Sequence, residues 1–95
     1  MVVGFGTITL RMAECHSLKE KRKIIKSIIT RSQNHFNASI AEVGLNDVHQ
    51  QAQIGFAMAG NDRRTINSKI DKLIEFVTNL QLADTIDTSW EIINI

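Results

Sequence analysis

The sequence predicts an α+β fold of the ferredoxin-like kind, with element order β-α-β-β-α-β, a four-stranded antiparallel sheet and two helices on one face. Three observations predict it. Apolar residues alternate with a period of two at both ends of the chain and twice in its middle. Between these runs, two stretches repeat apolar residues at helical spacing, and each is preceded by a helix-start signal, Ser17 for the first and Gly60-Asn61-Asp62 for the second. Right-handed crossovers then place both helices on the same side of the sheet.

Residues 2–12 read as the first strand, with Val2, Ile8, Leu10 and Met12 on one face and Val3, Phe5, Thr7, Thr9 and Arg11 on the other. Gly4 and Gly6 fall on the first face and leave room for a helix to pack closely. A helix is expected from Leu18 to Asn34. It opens on a capping box of Ser17 and Glu20 and buries Leu18, Ile25, Ile28 and Ile29, with Ile24 at the margin of the stripe. Residues 38–43 and 52–59 read as the middle strands, joined by a polar loop over 44–51. In the second of them Ile54, Phe56 and Met58 turn inward, while Gly55, Ala57 and Ala59 turn outward. Ile66, Ile70, Leu73, Ile74 and Val77 mark a second amphipathic helix over 63–80, and residues 85–95 return to strand through Trp90, Ile92, Ile93 and Ile95.

Ninety-five residues without proline, low-complexity tracts or a shift in composition make one domain, 1–95. No apolar run approaches the ~20 residues of a bilayer span, and the first residues do not resemble a secretory signal. The single cysteine, Cys15, has no partner within the chain. A cytoplasmic protein with no membrane partner is the expectation.

The formal net charge is only +1, which argues against indiscriminate coating of nucleic acid. The charge is nevertheless segregated. Residues 18–31 carry +5, leaving −4 for the rest of the chain. On a helical wheel Lys19, Arg22, Lys23 and Lys26 share one arc, whereas Lys21 points back toward the buried side. Like charges at such spacings cost about 0.2–0.5 kcal/mol per pair, and cations in a first turn oppose the helix dipole. Stability alone does not favour this face. Two readings stay open: the four cations bind phosphates, foremost those of RNA or a ribosomal particle, or they are a solvated face. Arg63 and Arg64 extend the basic surface, offset by Asp62 and Asp71 nearby.

The uncovered sheet face offers Val3, Phe5, Ala57 and Ala59, with Ala41 and Val43 beside them. Such a face suits self-association into a homodimer or is an ordinary exposed face of an antiparallel sheet. Phe5 is the one aromatic it carries with certainty, so stacking of bases on sheet aromatics is not expected. Cys15, His16, Asp47 and His49 have no metal-type spacing, and nothing in the sequence joins their two loops. Ser17 is committed to the helix cap, and the glycines match no phosphate loop. No catalytic residues, metal, cofactor or small-molecule substrate are therefore expected.

The pieces Val3-Gly4, Thr7-Ile8, Ser17-Leu18-Lys19-Glu20-Lys21-Arg22, Ala41-Glu42-Val43 and Gly60-Asn61-Asp62 occur in an order and spacing that resemble the DUF503 (YlxP-like) family of small bacterial proteins. The resemblance covers essentially the whole chain. It implies a ferredoxin-like fold and a cytoplasmic setting. By the company its genes keep, near translation-initiation and ribosome-maturation factors, it also implies an RNA or ribosome context. It implies no particular activity. The chain departs from the family pattern at Ala13-Glu14, where members usually have Pro-Gly, and at Asp47-Val48-His49-Gln50-Gln51, where they tend to have Asp-Leu-Trp-Gln-Arg.

Overall fold

Alternation of apolar and small residues over ten positions makes β1 (Val2–Arg11) a strand with two different faces, and it lies in the interior of the sheet. In a computed structural model describing all of residues 1–95, β1 pairs antiparallel with β3 (Gln51–Gly60) on one side and with β4 (Asp84–Asn94) on the other. The short strand β2 (Ser39–Gly44) pairs with β3, giving the order β2-β3-β1-β4. Register follows burial. Ile8 pairs with Ile54 and Leu10 with Ala52, so the apolar sets of both strands face the same way.

Helices α1 (Leu18–His35) and α2 (Arg63–Asn79) cover that face. Ile25 and Ile28 from α1 and Ile66, Ile70, Leu73 and Val77 from α2 join the sheet residues in one core cluster of 17 buried residues. Each such Ile or Leu contributes about 1.5–3 kcal/mol by leaving water. The second helix starts on Asp62, whose carboxylate accepts from the Thr65 hydroxyl at 2.7 Å and the Thr65 amide at 3.2 Å. Those bonds, the hydroxyl's foremost, hold the Asp62 carboxyl below the usual carboxylate range.

Four details differ from expectation. Ser32 joins Lys21 as a buried polar residue of α1, while Leu18 and Ile29 are only half-buried. In the capping box, Ser17 Oγ accepts from the Glu20 amide at 3.1 Å, but the Glu20 carboxylate reaches past Ser17 to the His16 amide at 2.9 Å. The expected helix stops at Asn34, but His35 ends α1 and stacks on Phe76 of α2 with ring centres 4.6 Å apart. The glycines divide. Gly4 admits α2, whereas a Cβ on Gly6 would meet Trp90 Cβ of the neighbouring strand at 2.6 Å.

A Cβ on Gly4 would lie 2.5 Å from Ile66 Cγ2 and 2.9 Å from Ile70 Cδ1. Gly4→Ala should therefore lower stability by about 1–3 kcal/mol, the cost of overpacking a close-packed core. Gly44→Ala meets only the end of the flexible Gln53 side chain and should stay within about 0.5 kcal/mol of wild type. Urea denaturation of both variants measures the contrast.

Candidate nucleic-acid interface

With its first turn fixed by the cap, α1 presents Lys19, Arg22, Lys23 and Lys26 to solvent, all four exposed or partly so along one flank. No carboxylate pairs with any of them, since the single ion pair in the chain is Lys21–Glu42. Glu20, the one acid within the run, is turned to the His16 amide. Gln33, on the wheel between Arg22 and Lys26, donates from Nε2 to the carbonyl of Ile40 at 3.1 Å. That bond ties this flank of the helix to the edge strand β2. Arg22 and Lys26 thus lie on the β2 side of the helix layer, while Lys23 borders the hollow formed with residues 81–84 at the start of β4.

Lys21 belongs to the same basic run and does the opposite. Its side chain is 1% exposed. Nζ donates to the carbonyls of Leu45 at 2.5 Å, Val48 at 2.8 Å and Asn46 at 3.3 Å, which occupies all three N–H groups of the ammonium. Glu42 Oε2 stands 3.2 Å away and supplies the counter-charge without a directed hydrogen bond of its own. Leu45 sits at φ 59, the left-handed region, at a cost of about 1–2 kcal/mol for a residue with a side chain. Its carbonyl accepts from both Lys21 Nζ and the Val48 amide, which holds the turn in that conformation.

The same loop meets the β1–α1 connection. Gln50 Nε2 donates to the carbonyls of Ala13 and Cys15 at 3.2 and 3.4 Å, and the Met12 amide donates to the Gln50 carbonyl at 2.8 Å. Two loops that nothing in the sequence joined are therefore fastened together, and Cys15, His16, Asp47 and His49 line one shallow hollow. Proximity does not make them a ligand set. Cys15 is buried, its Sγ donates to the Ser17 carbonyl at 3.3 Å, and no three His, Cys, Asp or Glu side chains converge as metal ligands would.

On the opposite side of the sheet, cross-strand pairing assembles the self-association residues into one patch. Val3 pairs with Ala59 and Phe5 with Ala57. Val3 is flanked beyond by Ile93 of β4. Phe5, Ala57, Ala41 and Val43 border a shallow concavity of about 540 Å³ floored by Gly55 and Thr7. No helix of the chain is long and apolar enough to cross a membrane.

The architecture defines a ferredoxin-like domain with one basic helix flank, one uncovered sheet face and a loop clamped by an internal lysine. Residues 3–90 match the model of the family described as "Protein of unknown function (DUF503)", and the chain belongs to that family. A similar protein is the "Uncharacterized protein YlxP" of Bacillus subtilis (strain 168), 33% identical over 91 residues, a match covering 94% of this chain and 99% of the relative. Among solved structures, one of a "REP associates tyrosine transposase bound to a REP hairpin" is similar at a TM-score of 0.45 and 13% identity. That match covers 98% of this chain and 56% of the other, so the chain spans little more than half of that protein's length.

Removing the ammonium from the clamp strands three carbonyls and the Glu42 carboxylate. Lys21→Met should cost about 3–5 kcal/mol, as when one partner of a buried ion pair is removed. Arg22→Gln, one residue on and exposed, should stay within about 0.5 kcal/mol. Chemical denaturation reads both, and hydrogen exchange should show residues 45–50 opening first in any Lys21 variant that still folds.

Proposed function

We propose that the protein is a cytoplasmic, non-enzymatic factor that associates with RNA or a ribosomal particle, holding backbone phosphates on Lys19, Arg22, Lys23 and Lys26. One observation carries this reading. Four solvent-facing cations lie on one helix flank with no carboxylate near enough to pair with them, although their mutual repulsion and the helix dipole both oppose the arrangement. A polyanion relieves both penalties. The modest net charge of +1 suits a localised footprint, and bonds to phosphates position an RNA without reading its sequence.

The reading is tested by titrating structured RNA in a filter-binding or mobility-shift assay at several salt concentrations. Wild type should weaken steeply with salt, and reversing all four charges should reduce the salt slope by about 1 for each phosphate the helix no longer holds. A charge-reversed variant that bound as well as wild type, or binding insensitive to salt, contradicts it.

The apolar patch favours a second reading, an interaction module that dimerises through Val3, Phe5, Ala57 and Ala59 and leaves the basic flank solvated. It is supported by the direct pairing of those residues across β1 and β3 and by the exposure of Phe5, 39% for a large apolar side chain. Sedimentation equilibrium separates the readings. A dimer weakened by Phe5→Lys supports the module, and a monomer at every concentration excludes it.

A further inference from the structure

Trp90 is the only tryptophan in the chain, and it is 38% exposed rather than placed in the core. It stands on the edge strand β4, opposite Gly6 of β1. Two residues on, Ile92 is buried against the helix layer, so the period of the strand puts the indole on the helix side also. The strands close tightly here, since even a methyl on Gly6 would meet Trp90 Cβ at 2.6 Å. That approach fixes the root of the indole.

Facing it is the first turn of α2. Arg63, Arg64 and Asn67 share one hollow with Trp90, Ile92 and Asp62. Both arginines are exposed, and neither is ion-paired. The nearby acid, Asp62, is occupied by the amide and hydroxyl of Thr65. Its cap also fills the end of the helix, so attraction for an anion comes from the two guanidiniums. A purely apolar partner would bury those charges unpaired, at a cost exceeding the gain from covering the indole. A nucleotide satisfies both halves of the hollow: its base has a face for the ring, and its phosphates have charge for the arginines.

We infer that the Trp90–Arg63–Arg64 hollow is a stacking site for an unpaired nucleotide of single-stranded RNA, with Asn67 placed to meet the base edge. The inference rests on the RNA reading above and deepens it. The site is built from α2 and β4 and shares no residue with the basic flank of α1.

With one tryptophan and no tyrosine, the protein's emission reports on Trp90, which also borders the concavity of the open sheet face, so the double arginine variant assigns quenching to this hollow. A short single-stranded oligoribonucleotide should quench the emission saturably, and a blunt duplex that binds α1 should not. Arg63→Glu with Arg64→Glu should raise the oligonucleotide concentration needed by roughly tenfold or more. In filter binding, Trp90→Leu, checked for folding by its thermal melt, should weaken the same oligonucleotide by roughly 5- to 100-fold, the range for removal of one stacking platform.

The inference is overturned by bound oligonucleotide without quenching, by quenching unaltered in the double arginine variant, or by equal quenching by free uridine monophosphate. Emission that follows protein concentration instead of oligonucleotide also overturns it, because a second copy would then cover the indole. The four-charge variant of α1 should lose the duplex and keep the quenching by the single strand. In the wild type, duplex binding without any quenching by the single strand removes this site alone, and failure to bind any RNA removes the reading beneath it.

Discussion

An ammonium group withdrawn from water needs three acceptors and a counter-charge, because its desolvation costs several kcal/mol that packing cannot return. The chain meets that need at a single point. Three loop carbonyls and one carboxylate surround Lys21 Nζ, and they come from β2 and the loop that follows it. Because the donor sits on the first turns of α1, the bond set fixes where the helix lies over β2. It also fixes the path of residues 45–48, including the left-handed Leu45. Gln50 then carries the same constraint to the β1–α1 connection and so to the start of the helix. Helix, edge strand and two loops are one mechanical unit organised around one charge.

This constraint also explains the composition of the basic run. Five cations crowd into residues 19–26, yet they serve two ends. Lys21 is neutralised internally and adds nothing to the field outside the protein at short range. The four others have no internal partner. With Glu20 drawn to the His16 amide, the outer flank keeps its positive potential unscreened by neighbouring acids. The clamp holds the helix start in place, which fixes the backbone positions from which the four cations project.

Much of this was legible in the residues. Every element boundary falls within one residue of where the periodicity and caps put it, because period-two and period-3.6 patterns are strong and unbroken in a chain without proline. The outward cations could be read from the wheel, as could the inward turn of Lys21. Its partners could not, since backbone carbonyls of a loop 24 to 27 residues away carry no sequence signal. Only Glu42 hinted at one, as an acid on the inward face of β2. The joining of the Cys15 and Asp47 loops was hidden for the same reason. Gly6 shares a face with Gly4, which points to helix packing, but its empty space belongs to Trp90 through a cross-strand pairing that period alone does not supply.

The division of labour among the lysines can be observed atom by atom. Proton–nitrogen correlation spectra of the lysine ammonium groups, recorded while structured RNA is added, follow Lys19, Lys21, Lys23 and Lys26 together. The account requires a slowly exchanging Lys21 signal that stays in place and progressive shifts of the other three. Shifts of Lys21 in step with its neighbours, or no shift of any lysine on adding RNA, would contradict it.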